Sequence, residues 1–126
     1  MTIVPSRSRG GEAPVARVSI RLDLASGARI GPGKIALLEA IDREGSISAA
    51  GRALGMSYRR AWDLVDALNT MLGAPAVDAA SGGYRGGGAT LTDAGRRLVA
   101  DYRAIERAAH RAAEARLDAL ARRVKG

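Results

Sequence analysis

A chain of 126 residues with 20 Lys and Arg against 13 Asp and Glu carries a formal charge of +7, which suits one domain with appendages and an anionic partner. The absence of cysteine excludes disulfides and thiolate metal sites, and no run of eighteen apolar residues exists to cross a membrane. With no Phe, one Trp and three Tyr, the core has to be aliphatic, and the basic residues are almost all Arg, a bias that a GC-rich coding sequence also produces.

Residues 1–16 lack the apolar core of a signal peptide and read as a flexible arm, so a cytoplasmic protein is expected. Residues 18–24, VSIRLDL, alternate apolar and polar, with Val18, Ile20, Leu22 and Leu24 on one face, the pattern of a half-buried strand. Gly31-Pro32-Gly33 opens a helix, because proline near the first helical position loses no hydrogen bond. Ile35, Leu38 and Ile41 then repeat at helical spacing until the helix ends near Glu44-Gly45.

Residues 47–64, ISAAGRALGMSYRRAWDL, predict two short helices joined by a tight turn, the layout of a helix-turn-helix. Ala50 and Leu54 fall on the inner face of the first helix. Gly51 falls where the helices cross, and a side chain larger than Ala would hold them apart. Gly55 supplies the left-handed turn residue and Met56 plugs the corner. Ala61 and Leu64 face back into the core. Ser46 and Ser57 are suited to cap the two helices through their hydroxyls. A small helical hairpin of no special function shares some of these features, but not all of them together.

The second helix continues through Val65, Leu68 and Leu72, with Trp62 beside the stripe, until Gly73 and Pro75 end it. Residues 76–80, AVDAA, and the ATLT run are short strand candidates. Between them SGGYRGGG, residues 81–88, forms the tip of a hairpin wing. Thr92 caps a last helix and Asp93 suits its positive end. In that helix Leu98, Tyr102, Ile105, Ala109, Ala113, Leu117, Leu120 and Val124 repeat with a mean step of about 3.7 residues, near that of a straight helix. At roughly 30 residues and about 45 Å its stripe exceeds what so small a domain covers, and a partner helix from a second copy is the simplest cover.

The fold class is therefore mainly α with a small β component: a winged helix-turn-helix with a long C-terminal dimerisation helix. The expected division is an arm at residues 1–16 and a domain at residues 17–126. Within the domain the helix-turn-helix spans residues 46–72, the wing 76–91 and the last helix 92–124.

Arg59 and Arg60, with Tyr58 before them, lie in the first turn of the second helix. An Arg there either reaches guanine O6 and N7 or holds a phosphate and sets register; a solvated Arg pair is the bland alternative. Asp63 and Asp66 follow, suited to accept from cytosine N4, to pair with a nearby Arg, or to repel a wrong backbone geometry. Arg85, with Gly86 and Gly87, stands at the wing tip, where it suits phosphate or the minor groove; a flexible linker is the alternative there. Ser46, Ser48 and Ser57 complete the expected DNA-contact set. SGGYRGGG lacks the Lys-Ser/Thr of a phosphate-binding P-loop. His110 is the single histidine, and its spacing with Glu106 and Glu114 reads as a solvated helical face rather than a metal site. No nucleophile–base set converges, so no enzyme, metal or cofactor is expected.

The run GSISAAGRALGMSYRRAWDLVDALN followed by GGYRGGGATLTDAGRRLVADY resembles the DNA-binding domain of the ModE-type molybdate-responsive regulators. The resemblance rests on Gly45 to Ser48, Ser57 to Trp62, Gly82 to Gly88 and Leu91 to Gly95 in order, and covers roughly residues 18–107. It implies a winged helix-turn-helix that dimerises through its N- and C-terminal elements, with operator contacts from the second helix and the wing. Nothing in the sequence corresponds to the C-terminal oxyanion-binding modules of molybdate-sensing members, so the expectation is a stand-alone version, either constitutively DNA-competent or controlled by a separate effector-sensing protein. The expected partners are double-stranded DNA and a second copy, engaged through the C-terminal helix and the N-terminal strand. The expected function is that of a sequence-specific transcriptional regulator. A protein-interaction module using the long Ala-rich helix and a non-specific nucleoid binder are the alternatives.

Overall fold

The computed structural model describes residues 16–79 and 88–124. Most of the flexible arm expected at residues 1–16 and all of the wing tip but Gly88, including Arg85, Gly86 and Gly87, lie outside the described residues. The described residues divide into two compact units, residues 20–103 and a second that holds residues 104–124.

The first unit is a winged helix-turn-helix. Strands β1 (Leu22–Asp23) and β2 (Arg29–Ile30) pair antiparallel, with Leu22 opposite Ile30. Helices α1 (Pro32–Glu44), α2 (Ile47–Ala53) and α3 (Tyr58–Leu72) follow, then strands β3 (Val77–Ala79) and β4 (Ala89–Leu91) and helix α4 (Asp93–Arg123). The wing strands pair antiparallel with Val77 opposite Leu91 and Ala79 opposite Ala89.

The N-terminal strand is shorter than its alternation predicts. Pairing is confined to Leu22–Asp23, and Leu24 is 49% exposed. A turn explains this: Gly27 N–H donates to Leu24 O at 2.8 Å, Leu24 N–H donates to Ala28 O at 2.9 Å, and Gly27 has φ 95°. Leu24 therefore begins the turn into β2, a strand too short to show any periodicity of its own.

Aliphatic residues fill the core, as the composition requires. Leu37, Leu38 and Ile41 of α1 meet Ile47 and Ala50 of α2, Ala61, Val65 and Leu68 of α3, and Val77 and Leu91 of the wing. A smaller cluster joins Ile30, Ile35 and Tyr102, and the Tyr102 hydroxyl donates to Ile20 O at 2.7 Å. This bond fastens the segment entering β1 to the last helix across 82 residues of sequence.

Arg103, the next residue along, closes a fork on Glu39 of α1. Its Nε donates to Glu39 Oε2 at 3.0 Å and its NH2 group to Oε1 at 2.7 Å. The Arg103 hydrogen bonds hold the Glu39 carboxyl below its ordinary value; burial opposes them, and the positive charges of Arg103 and Arg43 add to them. A carboxyl with a depressed folded value stabilises the fold fully above its unfolded value of about 4.3, and that stabilisation is lost as pH falls through the folded value. Both side chains are about one-third exposed, at 35% and 32%, so solvent screening limits the pair to about 1 kcal/mol. Glu39→Gln is expected to melt below the unaltered protein at pH 7, with the gap closing as pH falls below about 4. Thermal melts of both proteins across that range measure it, and a gap constant with pH would contradict the assignment.

Candidate nucleic-acid interface

The helix-turn-helix is built by a short list of local contacts. Gly45 ends α1 with φ 80°, and its carbonyl accepts from Ala89 N–H of the wing at 2.9 Å. Ser46 caps α2 by accepting from Ala49 N–H at 3.0 Å, Ile47 is buried, and the Ser48 hydroxyl accepts from Arg52 at 2.9 Å. The Gly-Ser-Ile-Ser motif thus ends one helix, starts the next and ties both to the wing.

The crossing of α2 and α3 depends on Gly51. A Cβ added there would come within 3.3 Å of Ala61 Cβ and 3.5 Å of Met56 O, so a larger side chain would part the helices. Gly55 turns with φ 70°, and Met56 N–H donates to Gly51 O at 2.9 Å. Leu54 departs from its expected inner-face position. It stands past the end of α2, at the C-cap, and is 37% exposed, because the helix closes one residue too early to carry it inward. Leu64 is half-buried, while Ala61, Val65 and Leu68 form the packed face of α3.

Ser57 starts α3 by accepting from Arg60 N–H at 3.1 Å. Tyr58, Arg59, Arg60 and Asp63 are exposed, and Tyr58 meets the half-buried Trp62 edge-on, with ring centroids 6.3 Å apart. Neither Arg59, Arg60 nor Asp63 makes a side-chain hydrogen bond or ion pair with any described residue. The start of α3 thus displays two guanidiniums and one carboxylate, all open to an external ligand. Ser48 differs in that its hydroxyl is already engaged by Arg52.

Sequence reasoning passed over the base of the wing. Asn69, on the last turns of α3, accepts from Ala76 N–H at 2.7 Å and from Val77 N–H at 3.2 Å through one side-chain oxygen. Thr92 donates its hydroxyl to Pro75 O at 2.6 Å and its N–H to Ala76 O at 2.9 Å, and its oxygen caps α4 by accepting from Gly95 N–H at 3.1 Å. Gly95 packs against the Ala76 backbone with no room for a methyl group. The Leu-Thr-x-x-Gly motif is therefore a clamp on the chain entering β3. The motif signals its presence, but its partner, Asn69, has no local signature.

Along residues 104–124, Ile105 and Leu120 are 45% and 53% exposed, whereas Ala109, Ala113 and Leu117 are half-buried. His110 is half-buried, and among the described residues no group of acids and histidine forms a metal cluster. No helix among the described residues is long and apolar enough to cross a membrane.

A capped helix with an exposed basic start, crossed by a short helix and flanked by an antiparallel hairpin, defines a winged helix-turn-helix reading head. The chain belongs to the bacterial regulatory helix-turn-helix proteins of the lysR family, whose model matches residues 33–96. It is similar to ModE-type regulators. It shares 59% identity over 81 residues with the molybdenum-pterin-binding protein MopB of Rhodobacter capsulatus, covering 64% of this chain and 30% of that protein. It shares 47% identity over 92 residues with the molybdenum transport protein ModE of Azotobacter vinelandii, covering 73% of this chain and 33% of that protein. The DNA-binding transcriptional dual regulator ModE of Escherichia coli K12 is 42% identical over 71 residues, covering 56% of this chain and 27% of that protein. The matched stretch thus spans about a third of these relatives' length. Among solved structures, the CbnR DBD–DNA complex matches with a TM-score of 0.54 and 25% identity, covering 70% of this chain and 95% of that one. Full-length CbnR complexed with its target DNA matches with a TM-score of 0.51 and 26% identity, covering 65% of this chain and 27% of that one.

Proposed function

We propose that this chain is the sequence-specific DNA-reading part of a transcriptional regulator, with α3 in the major groove and the wing on the backbone or minor groove. The observation that carries the reading is the start of α3, where Arg59 and Arg60 stand exposed on a capped helix with no described ion partner. A guanidinium in that position reaches guanine O6 and N7 through paired hydrogen bonds. The likeness to CbnR domains solved in complex with DNA supports DNA as the ligand. Tyr58, Asp63 and Ser57 flank the arginines, Ser46 and Ser48 stand at the start of α2, and Arg85 with Gly86 and Gly87 supplies the wing contacts. The names of the relatives tie them to molybdenum transport and molybdenum-pterin binding, and control of molybdenum-related genes is the setting we infer.

The working unit is a homodimer joined through the C-terminal helix and the N-terminal strand. The stripe of Ile105, Ala109, Ala113, Leu117 and Leu120 supports this, because its exposed leucine and isoleucine gain from a partner helix while its alanines let that helix come close. Two copies then address half-sites spaced by roughly one or more helical turns.

Salt titration of duplex binding tests the proposal. Affinity for a selected operator is expected to fall steeply with salt, with a logarithmic slope of about −0.9 per phosphate neutralised. It should exceed affinity for unrelated duplex by roughly a thousandfold or more. No duplex binding at low salt would refute the reading, and sedimentation showing only monomer at micromolar concentration would refute the dimer.

A further inference from the structure

The outward face of α3 carries a carboxylate where a DNA-facing helix tolerates one least. Asp63 is exposed, turned away from the buried Ala61, Val65 and Leu68. It lies about 40° around the helix and about 6 Å along it from Arg59. Despite that proximity the two form no ion pair, and Asp63 makes no hydrogen bond or ion pair with any other described residue. The sequence leaves open whether this acid pairs with an arginine or faces a ligand; among the described residues no arginine pairs with it.

A helix entering the major groove strips water from the side chains on its outward face and brings them close to phosphates. An ionised carboxylate in that setting is strongly unfavourable unless a donor meets it. The groove edges offer two kinds of donor, the N4 amino group of cytosine and the N6 amino group of adenine, whereas guanine O6, thymine O4 and purine N7 are acceptors that repel it. Adenine sets its amino group beside its own N7 acceptor; cytosine sets N4 beside a C–H. A carboxylate therefore favours cytosine.

We propose that Asp63 is a specificity-determining residue that accepts from cytosine N4 in each half-site and penalises every base presenting only acceptors at that position. Arg59, one turn earlier, takes a guanine within two base-pair steps, since base pairs stack about 3.4 Å apart. The assignment rests on the reading of α3 as the recognition helix. Asp63 gives up some affinity by its charge and returns it as discrimination, a role opposite to that of Arg59 and Arg60 on the same helix.

Selection from a randomised duplex pool tests it, using the full chain unaltered and as Asp63→Asn, Asp63→Ala and Asp66→Asn. The unaltered chain should enrich a half-site with a fixed cytosine. Asp63→Asn should shift that position towards adenine, because an amide pairs with adenine N6 and N7. Asp63→Ala should lose about tenfold discrimination there, leave the other positions unchanged, and bind unrelated duplex more tightly. Asp66→Asn, further from the helix start, should change affinity without changing base preference. Asp63 is exposed, so melting temperatures should be unchanged and folding does not confound the result. If both Asp63 variants enrich the same half-site as the unaltered chain, or if Asp66→Asn alone moves the cytosine position, the proposal is overturned while the recognition-helix reading stands. If the unaltered chain binds duplex but enriches no sequence, the sequence-specific reading fails and this proposal fails with it.

Discussion

Gly95→Ala is expected to destabilise the reading head by about 3 kcal/mol, the upper end of overpacking effects. A Cβ at residue 95 would overlap the Ala76 carbonyl oxygen and lie 3.1 Å from the carbonyl carbon and 3.3 Å from the Cα of Ala76. These are backbone atoms and cannot rotate aside. The strand cannot retreat either, because Thr92 N–H donates to Ala76 O at 2.9 Å, the Thr92 hydroxyl to Pro75 O at 2.6 Å, and Asn69 holds the Ala76 and Val77 N–H groups. Relief requires breaking the clamp or shifting the start of α4. The melting temperature should fall by roughly 10 °C or more, and duplex affinity should fall with it, since the clamp sets the base of the wing. Gly33→Ala provides the contrast. Gly33 lies within α1 with open space around its Cα and no left-handed φ, so the change should be neutral or stabilise by about 0.5 kcal/mol. A Gly95→Ala protein that melts within about 2 °C of the unaltered chain would show that the wing base is looser than described.

The double change Arg59→Ala, Arg60→Ala is expected to remove specific binding while leaving the fold intact. Each arginine in bidentate contact with guanine contributes about 1–3 kcal/mol of discrimination. Losing both should lower affinity for a selected operator by roughly a hundredfold or more, with a smaller loss on unrelated duplex. Both side chains are exposed and the Ser57 cap uses the Arg60 backbone rather than its side chain, so the melting temperature should hold. Competition binding against unrelated duplex separates the two effects. Unchanged preference for the operator would remove α3 from the recognition role.

The parts of this protein legible in its sequence are those governed by neighbours in the chain. Gly45 and Gly73 end helices in the left-handed region, Ser46 and Ser57 cap the helices that follow them, and Gly51 sits where its missing side chain lets two helices cross. Helical spacing likewise places Ala61, Val65 and Leu68 inward. Errors arose where one residue decides an end: Leu54 fell outside α2 and Leu24 outside β1, since periodicity reports a face but not its last member.

What the sequence alone determined is the class of fold and the order of its parts, because capping, turn chemistry and periodicity act over a few residues and repeat wherever the same pattern occurs. Which polar groups meet across the chain is set by the packing of distant segments: Asn69 with the wing base, Arg103 with Glu39 across 64 residues, and Tyr102 with Ile20 across 82. Such pairs leave no local trace, since each depends on where distant segments are brought by apolar burial. The same is true of Asp63, whose meaning turns on an arginine that stands one turn away and does not pair with it.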